Sequence, residues 1–340
     1  MPVTVVPVAE LLRDLTQQAL AEDRKRADHI PVSQALRWFS DGYREIVRRV
    51  QFLTSTYTAD LQPSVQQPAP ADILDRLIPD ANALRIKSAT GHWHPLNLRD
   101  WTYIREVYPD FTTLTSPGCS HDWGWDETTP GQLLVLPPPS SDITRGLCFD
   151  YIQDPGPLTR LYDDDAATCA VVNGSATVSF GFSIAGLVAA GDVFGVKASS
   201  DELPASWYKV ASVATDLQHA TLSEPWADVS NASALFTLSQ VSLCEWTRPG
   251  LCLFAPVAYA LYHYWLREDQ ARANDYLVAF YGGTAKPGTK LAYQVDGELT
   301  RIAKAAGDRN GVVYQDRNHA ASYAGIRSRM SFTTRAPYRR

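Results

Sequence analysis

Three clusters in this 340-residue chain hold side chains that could do chemistry. His92 and His94 flank Trp93, with Cys119 and His121 downstream. On a strand the two histidines would point the same way, as a pair of metal ligands must. The intervals match no common zinc module, and Pro95 and Trp93 suit an ordinary strand edge, so the strand reading prevails. Asp163, Asp164 and Asp165 resemble the start of a calcium loop, but lack the glycine and distal glutamate that such a loop uses. A solvated linker accounts for them better. Trp123, Trp125, Asp126 and Glu127 combine aromatic platforms with paired carboxylates, as a glycosidase or sugar-stacking site would. Neighbouring acids on one loop are seldom a catalytic pair. The sequence holds no GxSxG, phosphate loop, dinucleotide fingerprint or HExxH. The expectation is therefore a protein that is not an enzyme and uses no catalytic residue, metal or cofactor.

Binding residues are the other possibility. The chain is acidic, with a net charge of −6, which argues against a generic nucleic-acid binder. Its positive charge gathers at the end, where Arg317, Arg327, Arg329, Arg335, Arg339 and Arg340 are opposed only by Asp316. Tyr314, Tyr323, Phe332 and Tyr338 are interleaved with them. Arginine and aromatic residues are enriched at interface hot spots, so this stretch reads as an arm that orders on a partner. A second basic set, Arg37, Arg44 and Arg48, lies opposite the apolar stripe of a helix near the N-terminus. It is mostly a solvated face that could meet an acidic neighbouring copy. Five cysteines with no CxxC spacing read as buried free thiols in a reducing compartment. No apolar stretch approaches a bilayer span, so a soluble protein made in the cytosol is expected.

The elements that must position these residues follow from periodicity. Helices are predicted from Pro7 to about Arg24 and from Ser33 to Val50, with complementary stripes that suggest a helical hairpin. Strands are expected near 52–58, 83–88, 92–98, 133–136 and 146–152, a turn of helix over 71–77 and a short helix over 99–108. From about 166 to 241 charges thin out and five short strands recur about a dozen residues apart, near 176–180, 192–196, 207–213, 220–222 and 234–238. That spacing indicates a small sandwich or barrel. The helical period then returns in one long stretch, Pro256 to Tyr281, and again over Lys290 to Ala306.

The layout resembles the head-to-tail adaptor, or connector, proteins of tailed bacteriophages. The resemblance rests on VSQALRWFSDGYREIVRRV at 32–50, APADILDRLIPDANALRIKSATGHWHPLNLRDWTYIREVYPDF at 69–111, LLVLPPPSSDITRGLCFDYIQDPGPLT at 133–159 and PVAYALYHYWLREDQARANDYLVAF at 256–280. It covers about 1–160 and 246–306; the stretch near 162–245 is what shorter members lack. It implies an α+β fold. A mainly α-helical frame of bundled helices and small β-hairpins (1–161 and 246–306) would carry an inserted all-β barrel or sandwich (162–245) and an extended basic arm (307–340). It also implies a structural virion protein in the neck, between capsid and tail. Twelve copies would ring the underside of the portal protein above a tail or neck protein, and genomic DNA would pass through without sequence-specific binding. The arm residues named above would be portal contacts, and Arg37, Arg44 and Arg48 ring contacts. Two rivals remain. One is a tail or baseplate protein whose β domain binds a host glycan or another tail protein, stacking on Trp207, Trp226 and the Trp123/Trp125 loop. The other is a hydrolase built on His92, His94 and His121 or on Asp126 and Glu127.

Overall fold

A computed structural model describes residues 7–22, 30–51, 53–78, 84–88, 90–114, 117–200, 202–241, 254–266, 268–284, 294–295, 297–299 and 301–302. The chain divides into two compact units, 44–156 and the remainder, 1–43 with 157–340. Helix α1 (Val8–Glu22) and helix α2 (Val32–Val50) open it. On α2, Ala35, Leu36, Phe39, Tyr43, Ile46 and Val47 are buried, the i, i+3/i+4, i+7 face that an amphipathic helix must cover.

In the 44–156 unit the strands are β1 (Thr54–Leu61), β2 (Gln66–Pro68), β3 (Arg85–Lys87), β4 (Trp93–Pro95) and β5 (Asn97–Leu98). Helix α3 (Trp101–Val107) follows, N-capped by Asp100, whose carboxylate accepts from the Tyr103 amide. Then come β6 (Asp122–Trp125), β7 (Gln132–Leu136) and β8 (Ile143–Ile152). They form two four-stranded sheets, ordered β1-β8-β3-β4 and β2-β7-β6-β5. Leu61, Ile86, Leu147 and Phe149 of the first meet Trp123, Leu133 and Val135 of the second in one core. The run Leu133–Leu136 has no alternation because both its faces are covered. Leu133 and Val135 enter that core, whereas Leu134 and Leu136 pack with Ile104 and Phe111 beneath α3. Close approach of α3 requires Gly124, where a Cβ would lie 2.4 Å from Ile104 Cδ1.

In the other unit, β9 (Leu161–Tyr162) leads into β10 (Thr168–Val171), β11 (Thr177–Phe180), β12 (Val193–Val196), β13 (Tyr208–Val213), β14 (His219–Leu222) and β15 (Asn231–Ser239). The pairing order β10-β11-β14-β13-β12-β15 closes when β15 returns to β10, with Thr168 opposite Leu235 and Cys169 opposite Ala234. The result is a closed six-stranded antiparallel barrel. Its interior is aromatic: Phe180, Phe194 and Phe236 lie 5.1–6.2 Å apart, and Tyr208 sits 4.8 Å from Trp226. Gly195 is needed because Pro204 and the Ser206 carbonyl cross over it; a Cβ would come within 2.4 Å of Pro204 Cβ. Helices α4 (Phe254–Trp265) and α5 (Gln270–Tyr281) pack on each other, and α1 packs on α4. A short ladder pairs β16 (Gly283–Thr284) with β17 (Gln294–Val295).

Several expectations are corrected here. The chain is not a mainly helical frame. Among the described residues it has seventeen strands and five short α-helices, and the 54–152 region assigned to the frame is two sheets. The single helix expected over Pro256–Tyr281 is broken. Asp269 leaves helical geometry (φ −139°, ψ 92°) and accepts from the Ala271 and Arg272 amides, capping α5. Apolar periodicity runs straight across such a break, so the pattern alone does not reveal it. Helix α1, expected to pair with α2 as a hairpin, packs on α4 among the described residues. Residues 71–77 turn without forming a helix. Of the helix expected over 290–306, Gln294–Val295 is strand, Gly297 is neither helix nor strand, Glu298, Leu299, Arg301 and Ile302 are helical, and the rest lies outside the described residues.

Phe236 is fully buried and touches four other aromatic rings. Phe236→Ala should lower stability by about 3–5 kcal/mol, lost transfer energy plus a cavity that a closed barrel cannot collapse. Urea unfolding followed by tryptophan fluorescence measures it.

Candidate functional site

The residues proposed as ring contacts lie on α2, each in a different state. Arg37 is exposed. Arg44 makes a two-pronged bond to Asp154, through Nε (3.1 Å) and through its terminal Nη2. Burial opposes ionisation of Asp154, but the Arg44 guanidinium and the Gly156 amide outweigh it and hold the carboxyl below its usual range. Arg48 bridges Asp75 (2.6 Å) and Glu45 (2.8 Å). Two of the three guanidinium groups are therefore already engaged within the chain, in part-exposed pairs worth about 0–1 kcal/mol each. The arm residues Tyr314, Arg317, Tyr323, Arg327, Arg329, Phe332, Arg335, Tyr338, Arg339 and Arg340 lie outside the described residues.

The inner side of the first helices carries a feature that periodicity did not single out. Trp38 stacks on His263 (6.3 Å between centroids, 12° between planes), and Tyr259 and Tyr262 each lie 4.8 Å from the same imidazole. Gly42 allows the close crossing of α2 and α4: a Cβ there would be 3.2 Å from the Tyr259 ring. Ser40 donates to the Leu36 carbonyl (2.7 Å) and accepts from the Leu158 amide (2.9 Å), tying α2 to the chain just before the barrel. His263 Nε2 is buried without a hydrogen-bond partner, and burial pushes the imidazole pKa down against the opposing field of Asp41. A neutral ring in an aromatic sandwich is the state this packing favours.

The chemical candidates resolve into structural roles. His92 and His94 are exposed beside and on edge strand β4, where His94 lies opposite Ile86. His121 is elsewhere: its Nδ1 is 2.9 Å from the Cys119 carbonyl and its Nε2 3.3 Å from the Tyr108 hydroxyl. Among the described residues no three His, Cys, Asp or Glu side chains are placed to hold a metal ion. Asp126 is buried, and hydrogen bonds from Thr128, Gln66 and the Thr129 amide overcome its desolvation, keeping its carboxyl low. Glu127 pairs with Arg76 (2.7 Å), which lies over Trp125. Of the four indoles proposed as a glycan-stacking platform, Trp123, Trp207 and Trp226 are at most 5 % exposed and lie inside the protein, and Trp125 is half-buried. Of the thiols expected to be buried, Cys169 is, with its pKa pushed up to about 12 by burial, but Cys119 is exposed and Cys148 half-buried.

The triple aspartate is the largest surprise. It is no solvated linker: Asp163 Oδ1 (2.9 Å) and Asp165 Oδ1 (2.6 Å) hold Lys197 Nζ, and the Ser200 carbonyl takes a third bond (3.1 Å). Thr237 donates to Asp163 from β15. Desolvation works against the ammonium, yet the two carboxylates raise its pKa overall. The likeness to a calcium loop has a physical basis, since the acids do bind a cation, and the cation is the chain's own. The available signal was Lys197 itself, one of only two lysines in residues 161–241.

Compared with known proteins, the chain matches no family and no curated sequence.

Two outcomes follow. The Lys197 side chain is 1 % exposed, whereas those of Asp163 and Asp165 are 38 % and 56 % exposed. Lys197→Met leaves carboxylates that can rehydrate, while the double change Asp163→Asn, Asp165→Asn strands a buried ammonium. The double variant should lose about 3–5 kcal/mol and Lys197→Met distinctly less, as read by thermal unfolding. His263 has a folded pKa below its unfolded one. Its stabilisation is full above about pH 6.5 and is lost as pH falls through that value toward the folded pKa. His263→Phe should flatten that part of the stability–pH curve between pH 7.5 and 5.

Proposed function

We propose that this chain is a structural virion protein, a head-to-tail adaptor. Copies of it form a ring, twelve by the family resemblance, beneath the portal protein and join the capsid vertex to the tail or neck protein below. It is made in the host cytoplasm and resides in the virion neck, with genomic DNA crossing the lumen unread. The observation that carries this reading is the meeting of helices from the two ends of the sequence. Helix α1 packs on α4, Trp38 stacks on His263, and Gly42 admits Tyr259. The quoted family segments at 32–50 and 256–280 are thus brought together in space, although nearly all the strands lie between them. A mainly helical frame is not needed for this; four helices suffice. A closed ring asks each copy for fixed flanks that complement an identical neighbour, and a helix pinned by in-chain ion pairs supplies one. Net negative charge suits a passage that must not hold phosphate tightly.

The test is native mass spectrometry and negative-stain imaging of the protein, alone and mixed with the portal protein of the same genome. A ring, or a layer on the portal that is lost when residues after Gly311 are deleted, is the expected result. Arg37→Glu should weaken that assembly without changing the melting temperature. A monomer that ignores the portal under every condition overturns the proposal.

A further inference from the structure

The barrel carries a groove of about 320 Å³ whose lining includes Val171, Val196, Trp226, Ala205, Val229 and Asp228, together with Lys197, whose charge is already paired with Asp163 and Asp165. The loop beside it is rigidly built. Asn173 Nδ2 donates to the Ala227 and Asp228 carbonyls (3.0 and 2.9 Å), its amide donates to Ser230 Oγ (2.8 Å), and Trp226 Nε1 donates to the Val229 carbonyl (3.2 Å). Yet this pinned loop displays Val229 at 84 % exposure, with Val172 of the adjoining turn at 56 %. Loop tips usually carry polar residues; a preformed tip that presents valine beside a carboxylate is built to be covered.

Charge says by what. Residues 161–241 hold nine carboxylates against two lysines, and one of those lysines, Lys197, is buried on Asp163 and Asp165. Asp228 at the groove and Glu202 on the connection that walls it are exposed. Residues 311–340 hold six arginines against one aspartate, with four tyrosine or phenylalanine side chains spaced among them. The last described residue is Ile302, so 38 residues follow it. At roughly 3.3 Å per residue they reach farther than the diameter of any unit of this size. A tethered segment meets its own chain at an effective concentration near the millimolar range, which lets a modest contact be occupied.

We infer that the barrel groove is the resting place of the chain's own C-terminal arm, residues 311–340. An aromatic side chain of the arm covers Val229 and the Trp226 edge, and a neighbouring arginine pairs with Asp228. The arm is thereby held on its own subunit until a stronger partner takes it. This holds whether or not the chain is an adaptor, and its test needs no portal.

Full-length chain with p-benzoylphenylalanine in place of Val229, prepared in ordinary and 15N-labelled forms and mixed before irradiation, gives the readout by mass spectrometry. The expected result is cross-links from position 229 into 311–340 that join peptides of one isotope only. Asp228→Lys should cut their yield about fivefold, the size of one part-exposed charge pair. The same probe in place of exposed Ser230 repeats the measurement from the other side of the tip. Cross-links that miss 311–340 from both positions, that join mixed isotopes, or that are indifferent to Asp228→Lys overturn the inference.

Discussion

Strand β15 is the spine on which the barrel unit depends. Its first half, Asn231–Leu235, pairs with β10, and its second half, Phe236–Ser239, pairs with β12. Pairing with both β10 and β12 closes the barrel and removes the free edges that an open sheet would present. The same strand continues to work past its end. Ser239 Oγ accepts from the Ala9 amide, the Gln240 carbonyl from the Val8 amide, and the Gln240 side chain from the Thr159 amide. The first turn of α1 and the chain entering the barrel are thus both hung on two consecutive residues, Ser239 and Gln240. Arg160 adds a paired bond to buried Asp192 at 2.7 and 2.9 Å. The carboxylate is 4 % exposed and the guanidinium side chain 30 %, so removing Arg160 would leave a buried charge without its partner.

What could be read from the sequence divides along physical lines. The barrel strands around Phe180, Tyr208 and Leu222 were legible because one face is buried and the other less so, which writes alternation into the residues, whereas those around Phe194 and Phe236, with consecutive buried residues, were legible from apolar content and even spacing. Strand β10 was not, since Thr168–Val171 is short and follows a charged run that reads as linker. The α2 stripe was plain. The break at Asp269 was hidden because two helices packed on one core keep one apolar period, and only a local cap separates them. Most informative is the 54–152 region. Most of its strands were located nearly in place, although β2 and β6 were not expected, yet they were assigned to a helical frame on resemblance, and two small sheets burying Trp123 between them make a core of their own. Local pattern was right there and the inferred architecture was not.

Site residues were legible in type but not in task. Asp163, Asp126 and Trp226 drew attention as the residues a calcium site, a glycosidase or a lectin would use. Each is spent on folding: a carboxylate on an internal ammonium, a carboxylate on its own turn, an indole on the barrel core. Composition cannot separate these uses, because a buried polar group and a ligand-binding one satisfy the same donors and acceptors. The partners each side chain meets inside the chain separate them, and those partners are a property of the fold. The helical contacts ran the other way. Trp38 and His263 lie 225 positions apart in sequence, and only the folded chain brings them face to face.

The Lys197 clamp also frees the barrel entrance from any dependence on a dissolved ion. A loop of acidic residues closed by calcium is at the mercy of its medium, loosening wherever the ion is dilute or captured by a chelator. Here the neutralising charge is covalently part of strand β12's continuation and cannot diffuse away. The carboxylates at the entrance to the barrel therefore keep their cation when divalent ions are withdrawn from the medium.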